Sequence, residues 1–316
     1  MKLSITRDIS GEVRDPTLLA GWPGMGSVGA GAINYMRETL GMQPFAEVDA
    51  REYFTPDSVV VEDGLTKFPD TPSNTFYYHQ EADLIIFESE SQLSGDGGTA
   101  LMRIILDLAE QLGVGTIYTG AAFAVPSSHR EPSHVYAVAN SKELKNLLAI
   151  HDLEILAQGQ ISGLNGLLLG FAGLRGIEAA CLLATMPQHA MNMPNPKASR
   201  ELIRCLKTIL GLEVAMAKIN KAVGQMNKTM IDIEEKIRAT FLNKEAGDEE
   251  VEMEDLDEEK VPHYVMEKIE HMFREVRDHK SNDKLAINDK AAQLKAELDR
   301  WNLYVLYEDR FLDLFR

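Results

Sequence analysis

Cysteine is scarce in this sequence: Cys181 and Cys205 are the two thiols among 316 residues. Two cysteines cannot supply the four thiolates of a structural zinc site or the bridges of a disulfide framework. Both lie among apolar or helix-forming neighbours, so we expect two buried thiols in a reducing compartment. The histidines are scattered, and no pair has the His-x-x-x-His spacing of a zinc site. The sequence therefore predicts no metal site.

Basic side chains and long apolar runs are also scarce. The chain has 32 Lys and Arg against 49 Asp and Glu, which gives a formal net charge of −17. This balance excludes a general nucleic-acid binder and a protein that docks on anionic lipid, because both need clustered basic side chains. No apolar run approaches the roughly 18 residues that span a membrane, and the first residues lack the apolar centre of a signal peptide. We therefore expect a cytoplasmic protein.

What the sequence does contain is a regular alternation of short apolar runs with helix-forming segments. Residues 1–16 are expected to form an edge strand or an arm, and the proline-containing segment 64–74 a loop. The predicted strands lie at 18–21, 45–49, 58–62, 75–79, 83–88, 116–120, 135–139 and 177–183, and the predicted helices at 28–40, 99–112, 142–150 and 167–174. This order predicts an α/β domain whose largely parallel sheet is covered by helices on both faces.

The composition changes after Met186, where prolines interrupt the chain and Ser199 is in position to cap a helix. Residues 199–316 show helical spacing of apolar side chains on both sides of an acidic stretch. That stretch, 245–259, contains ten Asp or Glu and no Lys or Arg. We therefore predict an α/β domain at 1–198 and an α-helical extension at 199–316, with 245–259 as an acidic hinge.

A glycine-rich turn follows the first predicted buried strand. Gly24, Gly26 and Gly29 fit G-x-G-x-x-G, and Ser27 lies between them at the start of a predicted helix. Three interpretations remain open. The small residues can permit a tight strand-to-helix crossing, their N–H groups can bind an anion or a nucleotide, or the turn can bind NAD. For NAD, Asp49 lies 20 residues beyond Gly29, where the acidic partner of the ribose is expected.

Three further groups of polar residues are candidates for a site. Asn165 precedes an apolar helix, where it can face a pocket or simply belong to a tight, glycine-rich turn. Acidic residues at strand ends can line a pocket for a metal or a ribose, although solvated acids at strand ends are the more common arrangement; they are Glu62, Asp63, Glu88, Glu90 and Asp96. The loop Ser127–Arg130 includes His129, but it lacks the G-x-S-x-G elbow and an orienting acid, so we expect loop packing. No residue is predicted to be catalytic.

Several motifs, in this order, resemble those of the proteasome assembly chaperone 2 (PAC2) family, in its archaeal and bacterial branch. The resemblance covers about residues 17–215 and rests on Gly21–Gly29, Asp83–Glu88, Pro126–Pro132, Ile161–Gly170 and Leu182–Pro187. It implies a three-layer αβα domain like that of nucleoside phosphorylases, without an established catalytic role. It also implies a homo-oligomer, for which we expect a trimer.

The same resemblance implies a docking element at the C-terminus. Some archaeal relatives dock on the proteasome core particle through a tail that reads hydrophobic, Tyr, any residue. This chain ends Leu314-Phe315-Arg316, so Phe replaces Tyr and its hydroxyl is missing. The sequence as a whole predicts a non-catalytic, homo-oligomeric PAC2-like protein with a proteasome-type partner and no cofactor. The alternative is a nucleotide- or nucleoside-binding enzyme that uses the Gly24–Gly29 turn.

Overall fold

The computed structural model describes residues 1–56, 58–151 and 153–245, together with positions 269, 272, 273, 276, 290, 291, 293–295, 298 and 307. Contacts divide the chain into two units, Met1–Glu245 and Ala246–Arg316. The predicted docking tail, Leu314-Phe315-Arg316, and all of the predicted acidic hinge except residue 245 lie outside the described residues.

Within the described part of the chain, nine strands form one mixed sheet and two more form a separate hairpin. In chain order they are β1 (Lys2–Ile5), β2 (Thr17–Gly21), β3 (Gln43–Asp49), β4 (Val60–Glu62), β5 (Leu65–Lys67), β6 (Asn74–His79), β7 (Leu84–Ser89), β8 (Thr116–Val125), β9 (Val135–Ala139), β10 (Glu154–Ile155) and β11 (Glu178–Pro187). The order across the sheet is β1-β3-β6-β7-β2-β8-β11-β9-β10, and the hairpin is β4-β5. The predicted α/β fold class is confirmed.

The centre of the sheet is parallel and its flanks are largely antiparallel. The strands β7, β2, β8 and β11 run parallel to one another, whereas β1, β3 and β6 pair antiparallel on one side and β9 pairs antiparallel with β11 on the other. The central strands are buried on both faces, which explains their continuous apolar sequences. Because parallel strands end at the same edge, their loops meet there.

The helices cover both faces of the sheet. They are α1 (Val28–Leu40), α2 (Gly95–Gln111), α3 (Lys142–Ile150), α4 (Leu164–Leu174), α5 (Pro196–Ile209) and α6 (Ala217–Glu245). The apolar faces of α2 and α4 share one buried core with Trp22 and Phe87, and those of α1, α3 and α5 share a second core with Leu182 and Met186. The two cores lie on opposite faces of the sheet, so the main unit has three layers. No helix among the described residues is long and apolar enough to cross a membrane.

The β4–β5 hairpin differs from the prediction. The strand predicted at 58–62 is present but lies outside the main sheet, and the predicted loop 64–74 contains its partner strand. Asp63 and Gly64 both have positive φ, at 50° and 76°. An Asp-Gly pair in this conformation forms the tight turn of a two-residue hairpin, which explains why the chain turns back here.

The first helix of the predicted extension belongs to the main unit. In α5, Leu202, Ile203 and Leu206 are buried in the core shared with α1, so the contacts divide the chain after residue 245 rather than after 198. The prediction that Ser199 caps this helix is wrong. Asn195 is the N-cap, since its side chain accepts a hydrogen bond from Ala198 N, and the Ser199 hydroxyl donates to Val28 O at 2.9 Å.

The second unit has a small apolar cluster of its own. Its described positions are helical, as predicted for the extension. Six of them are buried together: Ile269, Phe273, Val276, Ala291, Leu294 and Leu298. The rings of Phe273 and Tyr307 lie 5.7 Å apart between centroids.

Candidate functional site

A cleft of about 690 Å³ opens at the carboxyl end of β2, beside the second halves of β8 and β11. Its walls come from the turn after β2 at 22–25, from 120–123 of β8, from the segment after β7 at 92–95, and from 158–165, which are the loop before α4 and the first two residues of that helix. Open α/β sheets place ligands at this edge, where the parallel strands end. We name it the β2 cleft.

The described residues that line the β2 cleft have uncharged side chains. Among the described residues that form its wall there is no Asp, Glu, Lys, Arg, His, Cys or Tyr. Its polar side chains are amides, hydroxyls and one indole; they are Trp22, Gln92, Ser94, Gln158, Gln160, Ser162 and Asn165. General acid–base and nucleophilic catalysis need a titratable group or an activated hydroxyl. This lining supplies neither, although it can form neutral hydrogen bonds.

The glycine-rich turn contributes only part of its length to the cleft. Gly24 and Gly29 line it, as does Asn165, whereas Gly26 and Ser27 do not. The turn is also hydrogen-bonded within the chain: Gly26 N donates to Met191 O at 2.7 Å, and Ser27 N donates to Gly24 O at 2.9 Å. These N–H groups are therefore not free to bind an anion, which favours the packing interpretation of the turn.

Steric contacts explain two of the three glycines. A Cβ on Gly29 would lie 1.9 Å from Gly120 O, because the start of α1 crosses directly over β8. Gly26 has φ of 59°, and a Cβ there would lie 2.8 Å from the Met186 Sδ. The spacing of Gly26 and Gly29 thus follows from the crossing of α1 over the sheet.

Gly24 has no such requirement. Its φ of −167° is open to any residue. A Cβ added there would meet no atom of the described residues within 4 Å. Gly24 lines the β2 cleft. The packing of the turn therefore does not require glycine at this position.

Gln92 joins two walls of the cleft. Its Nε2 donates to Pro23 O at 2.7 Å, and its Oε1 accepts from Leu164 N at 3.1 Å. The side chain thereby ties the turn after β2 to the first residue of α4. Gln92 belongs to no sequence motif, although it follows the buried strand β7 closely, as Glu90 does.

Two buried polar atoms of the cleft wall find no hydrogen-bond partner among the described residues: Trp22 Nε1 and Asn165 Oδ1. The tryptophan is fully buried and packs against Phe87, with ring centroids 5.4 Å apart. Asn165 is about 5% exposed, and its backbone oxygen accepts a hydrogen bond from Thr119 Oγ1 at 2.9 Å. Buried polar groups are nearly always paired, so these two atoms, which belong to two different walls of the cleft, are exceptions.

The acidic residues at the strand ends do not line the β2 cleft. Glu88 accepts a hydrogen bond from Arg37 at 2.8 Å, and burial raises the pKa of its carboxyl against the opposing effect of Arg37. Glu90 accepts from Ser73 N. Glu62 pairs with Lys67 in the hairpin. None of these side chains lines the β2 cleft.

Asp49 is not placed for NAD. It lies at the end of β3, which β6 and β7 separate from β2 in the sheet. Its carboxylate contacts the Arg51 guanidinium at 2.6 Å, and hydrogen bonds from Arg51 lower its pKa to about 2. A dinucleotide-binding fold needs the acidic residue on the strand next to the glycine turn, so the sheet order contradicts the NAD interpretation.

His129 and the cysteines are packing groups. The His129 ring is buried and its Nε2 lies 2.6 Å from Asn227 Oδ1 of α6. Burial raises the pKa of Cys181 and of Cys205 to about 11, so neither is a ready nucleophile. No group of three or more His, Cys, Asp or Glu that could hold a metal occurs among the described residues.

Three comparisons relate this chain to known proteins. The model of the PAC2 family matches residues 18–233, more than half of the chain. An uncharacterized protein, MJ1210 of Methanocaldococcus jannaschii, is 27% identical over 214 residues, which are 67% of this chain and 80% of that protein.

Two solved structures from Pyrococcus furiosus share the fold. PbaA, described as an archaeal homolog of proteasome-assembly chaperone, has 22% identity and a TM-score of 0.60 over 77% of this chain and 96% of its own. PbaB, described as an archaeal proteasome activator, has 23% identity and a TM-score of 0.63 over 74% and 98%. At these identities the likeness concerns the fold alone.

Proposed function

Because the chain belongs to the PAC2 family, we propose that it is a non-catalytic binding protein that acts like an assembly chaperone on a proteasome-type partner. The observation that carries the non-catalytic part is the uncharged lining of the β2 cleft. This edge of an α/β sheet is where an enzyme would place its acid, base or nucleophile, and none lines it among the described residues. The printed descriptions of PbaA and PbaB support a proteasome-type partner.

The partner is tested by binding to the proteasome core particle purified from the same organism. We expect the full chain to co-sediment with the core particle and a variant lacking 314–316 to lose binding while keeping its fold. Phe315→Ala should weaken binding, and Phe315→Tyr should strengthen it, because tyrosine restores the hydroxyl of the family's docking tail. Absence of binding by the intact chain would contradict the proposed partner. Unchanged binding after the deletion would contradict the proposed tail.

We further propose that the chain forms a homo-oligomer through the β4–β5 hairpin. A two-stranded hairpin is marginally stable when it stands alone in water. This hairpin and the residue that follows it carry exposed apolar side chains: Val61, Leu65 and Phe68 are 63%, 75% and 74% exposed. Exposed apolar patches of this kind typically mark interaction surfaces. A second copy of the chain would cover these side chains.

The oligomer is tested by light scattering on the purified full chain during size-exclusion chromatography. We expect an oligomer, with three subunits from the family resemblance, and a smaller species for the double variant Leu65→Lys, Phe68→Lys. The matched control is Leu174→Lys at the end of α4, where the leucine is 85% exposed. It should keep the mass of the parent. A monomeric parent, or a double variant of unchanged mass, would rule out the hairpin interface.

A further inference from the structure

The β4–β5 hairpin needs an acceptor surface on the second copy of the chain, and the β2 cleft has matching properties. We propose that the hairpin of one subunit docks in the β2 cleft of the next, so that the copies are joined head to tail. This inference rests on the proposed homo-oligomer, since it names the surface that covers the hairpin. It also gives the cleft a role, as the binding site for a segment of a second copy.

One face of the hairpin has uncharged side chains. The ladder pairs Val61 with Thr66, whereas Glu62 and Lys67 belong to the pairs on either side of it. Opposed residues of an antiparallel pair share a face and successive residues alternate, so Val61 and Thr66 lie on the face opposite to these two charges. Glu62 and Lys67 pair with each other at 2.8 Å. Phe68 is the next residue after the ladder and adds a largely exposed aromatic ring.

The β2 cleft is a concave surface of the same character. Its described lining has uncharged side chains and includes the apolar residues Phe123, Leu156 and Ile161. Two further apolar side chains of the lining are well exposed in the single chain, Met25 by 44% and Leu167 by 51%. A volume of about 690 Å³ is of the size that receives drug-sized molecules, so it has room for several side chains of the hairpin.

The charge of the chain favours this pairing over others. A formal net charge of −17 makes two copies repel each other over much of their surfaces. The Val61 face of the hairpin and the described lining of the cleft add nothing to this repulsion. Their contact would remove apolar surface from water on both copies without burying an unpaired charge.

The hairpin and the cleft lie at the same edge of the sheet. Because β6 pairs antiparallel with both β3 and β7, β3 runs in the same direction as β7 and β2. The hairpin follows β3 in the chain, so it leaves the sheet at the edge where β2 ends and the cleft opens. Among the described residues, the hairpin does not line the cleft of its own chain. Two different patches on each subunit are what a ring of three copies needs, since such a ring is built from head-to-tail contacts.

Single variants in the cleft test the acceptor by light scattering during size-exclusion chromatography of the full chain. Met25→Lys and Leu167→Lys each place a positive charge in a different wall, on the turn after β2 and on α4. We expect each variant to give a smaller species than the parent, because an unpaired charge would be buried in the contact. The matched control is Leu174→Lys on the same helix, where the exposed leucine does not line the cleft. It should keep the mass of the parent.

Mixing two defective variants tests whether the contact is head to tail. The double variant Leu65→Lys, Phe68→Lys keeps an intact cleft, and Leu167→Lys keeps an intact hairpin, so a mixed pair can form one contact and no ring. We expect fluorescently labelled Leu167→Lys to bind the double variant with 1:1 stoichiometry in an anisotropy titration. Binding should be at least about tenfold tighter than that of either variant to itself. A contact between two hairpins could not form in this mixture, because one partner always has a defective hairpin.

Docking in the cleft would be overturned by the mass of the parent in both Met25→Lys and Leu167→Lys, or by absence of binding in the mixture. If the double variant is nevertheless smaller than the parent, the hairpin interface stands and its acceptor is another surface, such as a second hairpin. A monomeric parent would instead refute the proposed oligomer itself, and this includes a hairpin that closes over the cleft of its own chain. The two failures are therefore told apart.

Discussion

Replacement of Gly29 by alanine tests the argument that the glycine turn serves packing. An alanine Cβ at this position would lie 1.9 Å from Gly120 O and 2.4 Å from Gly120 C. Both are backbone atoms of a central strand that pairs with β2 on one side and β11 on the other. Because neither can move like a flexible side chain, the start of α1 must lift from the sheet by about 1 Å.

The change in the free energy of unfolding expected for Gly29→Ala follows from two opposed effects. Overpacking against well-ordered atoms costs about 1–3 kcal/mol, and a clash with a central strand belongs at the upper end. Alanine favours a helix interior over glycine by about 0.5–1 kcal/mol, but Gly29 is in the first turn, so less than this is recovered. We therefore expect the free energy of unfolding to fall by about 2 kcal/mol, which lowers the melting temperature by roughly 4–8 °C in a domain of this size.

Urea unfolding followed by circular dichroism measures this change, with Gly170→Ala as the matched control. Gly170 is also a helical glycine, in α4, but a Cβ there meets no described atom within 4 Å. The control should therefore gain about 0.5–1 kcal/mol of stability. A Gly29→Ala variant within about 0.5 kcal/mol of the parent would refute the close-packing explanation of the turn.

Three further predictions follow from named contacts. Asn195→Ala should lower the free energy of unfolding by about 1 kcal/mol in urea titrations, because the N-cap of α5 is lost, and an unchanged midpoint would contradict that role. Native Cys181 and Cys205 should react slowly with a disulfide reagent at pH 8, where a pKa of about 11 leaves on the order of 0.1% thiolate, and both should react at once in urea. Burial raises the pKa of Glu88 above its ordinary 4.5, so its folded form holds the proton to higher pH than the unfolded form. As pH rises from 4.5 through the raised pKa, the parent should therefore lose stability relative to Glu88→Gln, and parallel pH profiles would contradict this.

Local sequence patterns predict most of the central elements because their residues are buried in a regular way. The run 83–88 is apolar between its acidic ends, and 84–88 of it lies in β7 (Leu84–Ser89), which is buried on both faces. The helix predicted at 28–40 has those bounds as α1, because Gly41 adopts positive φ and ends it. The β4–β5 hairpin was missed, although Asp63-Gly64 is a strong turn signal, because the nearby prolines suggested a loop.

The order of the strands could not be read from the sequence, and it decides how Asp49 is interpreted. A spacing of 20 residues from Gly29 suggests an acidic partner for a ribose only if the strand that carries it lies next to β2. Here β3 pairs with β1 and β6 at the far side of the sheet. Pairing between distant segments depends on the whole fold, so local spacing carries no information about it.

Only part of the cleft lining could be predicted from the sequence, because the rest depends on contacts between distant segments. Gly24 and Asn165 could be nominated because each lies in a glycine-rich stretch at or near the start of a helix, and both do line the β2 cleft. Trp22 and Gln92 could not be predicted as lining residues. A tryptophan after a strand normally indicates a core side chain, and a single glutamine belongs to no motif with a characteristic spacing. Their roles depend on which polar atoms remain unpaired or bridge two walls, which only coordinates show.

The glycine-rich turn shows why one sequence pattern can have two physical causes. In a phosphate-binding turn the glycines let N–H groups face a ligand. In this chain Gly26 N donates a hydrogen bond to Met191 O. Gly29 is required because any Cβ there would collide with the backbone of Gly120 in β8. The third glycine of a dinucleotide-binding turn also serves close helix–strand packing, so it is the hydrogen-bonded N–H of Gly26 that distinguishes this turn from a phosphate-binding one. Gly24 alone is left without a packing role in this pattern, because a Cβ there would meet no described atom within 4 Å, so alanine at Gly24 should leave stability unchanged where alanine at Gly29 lowers it.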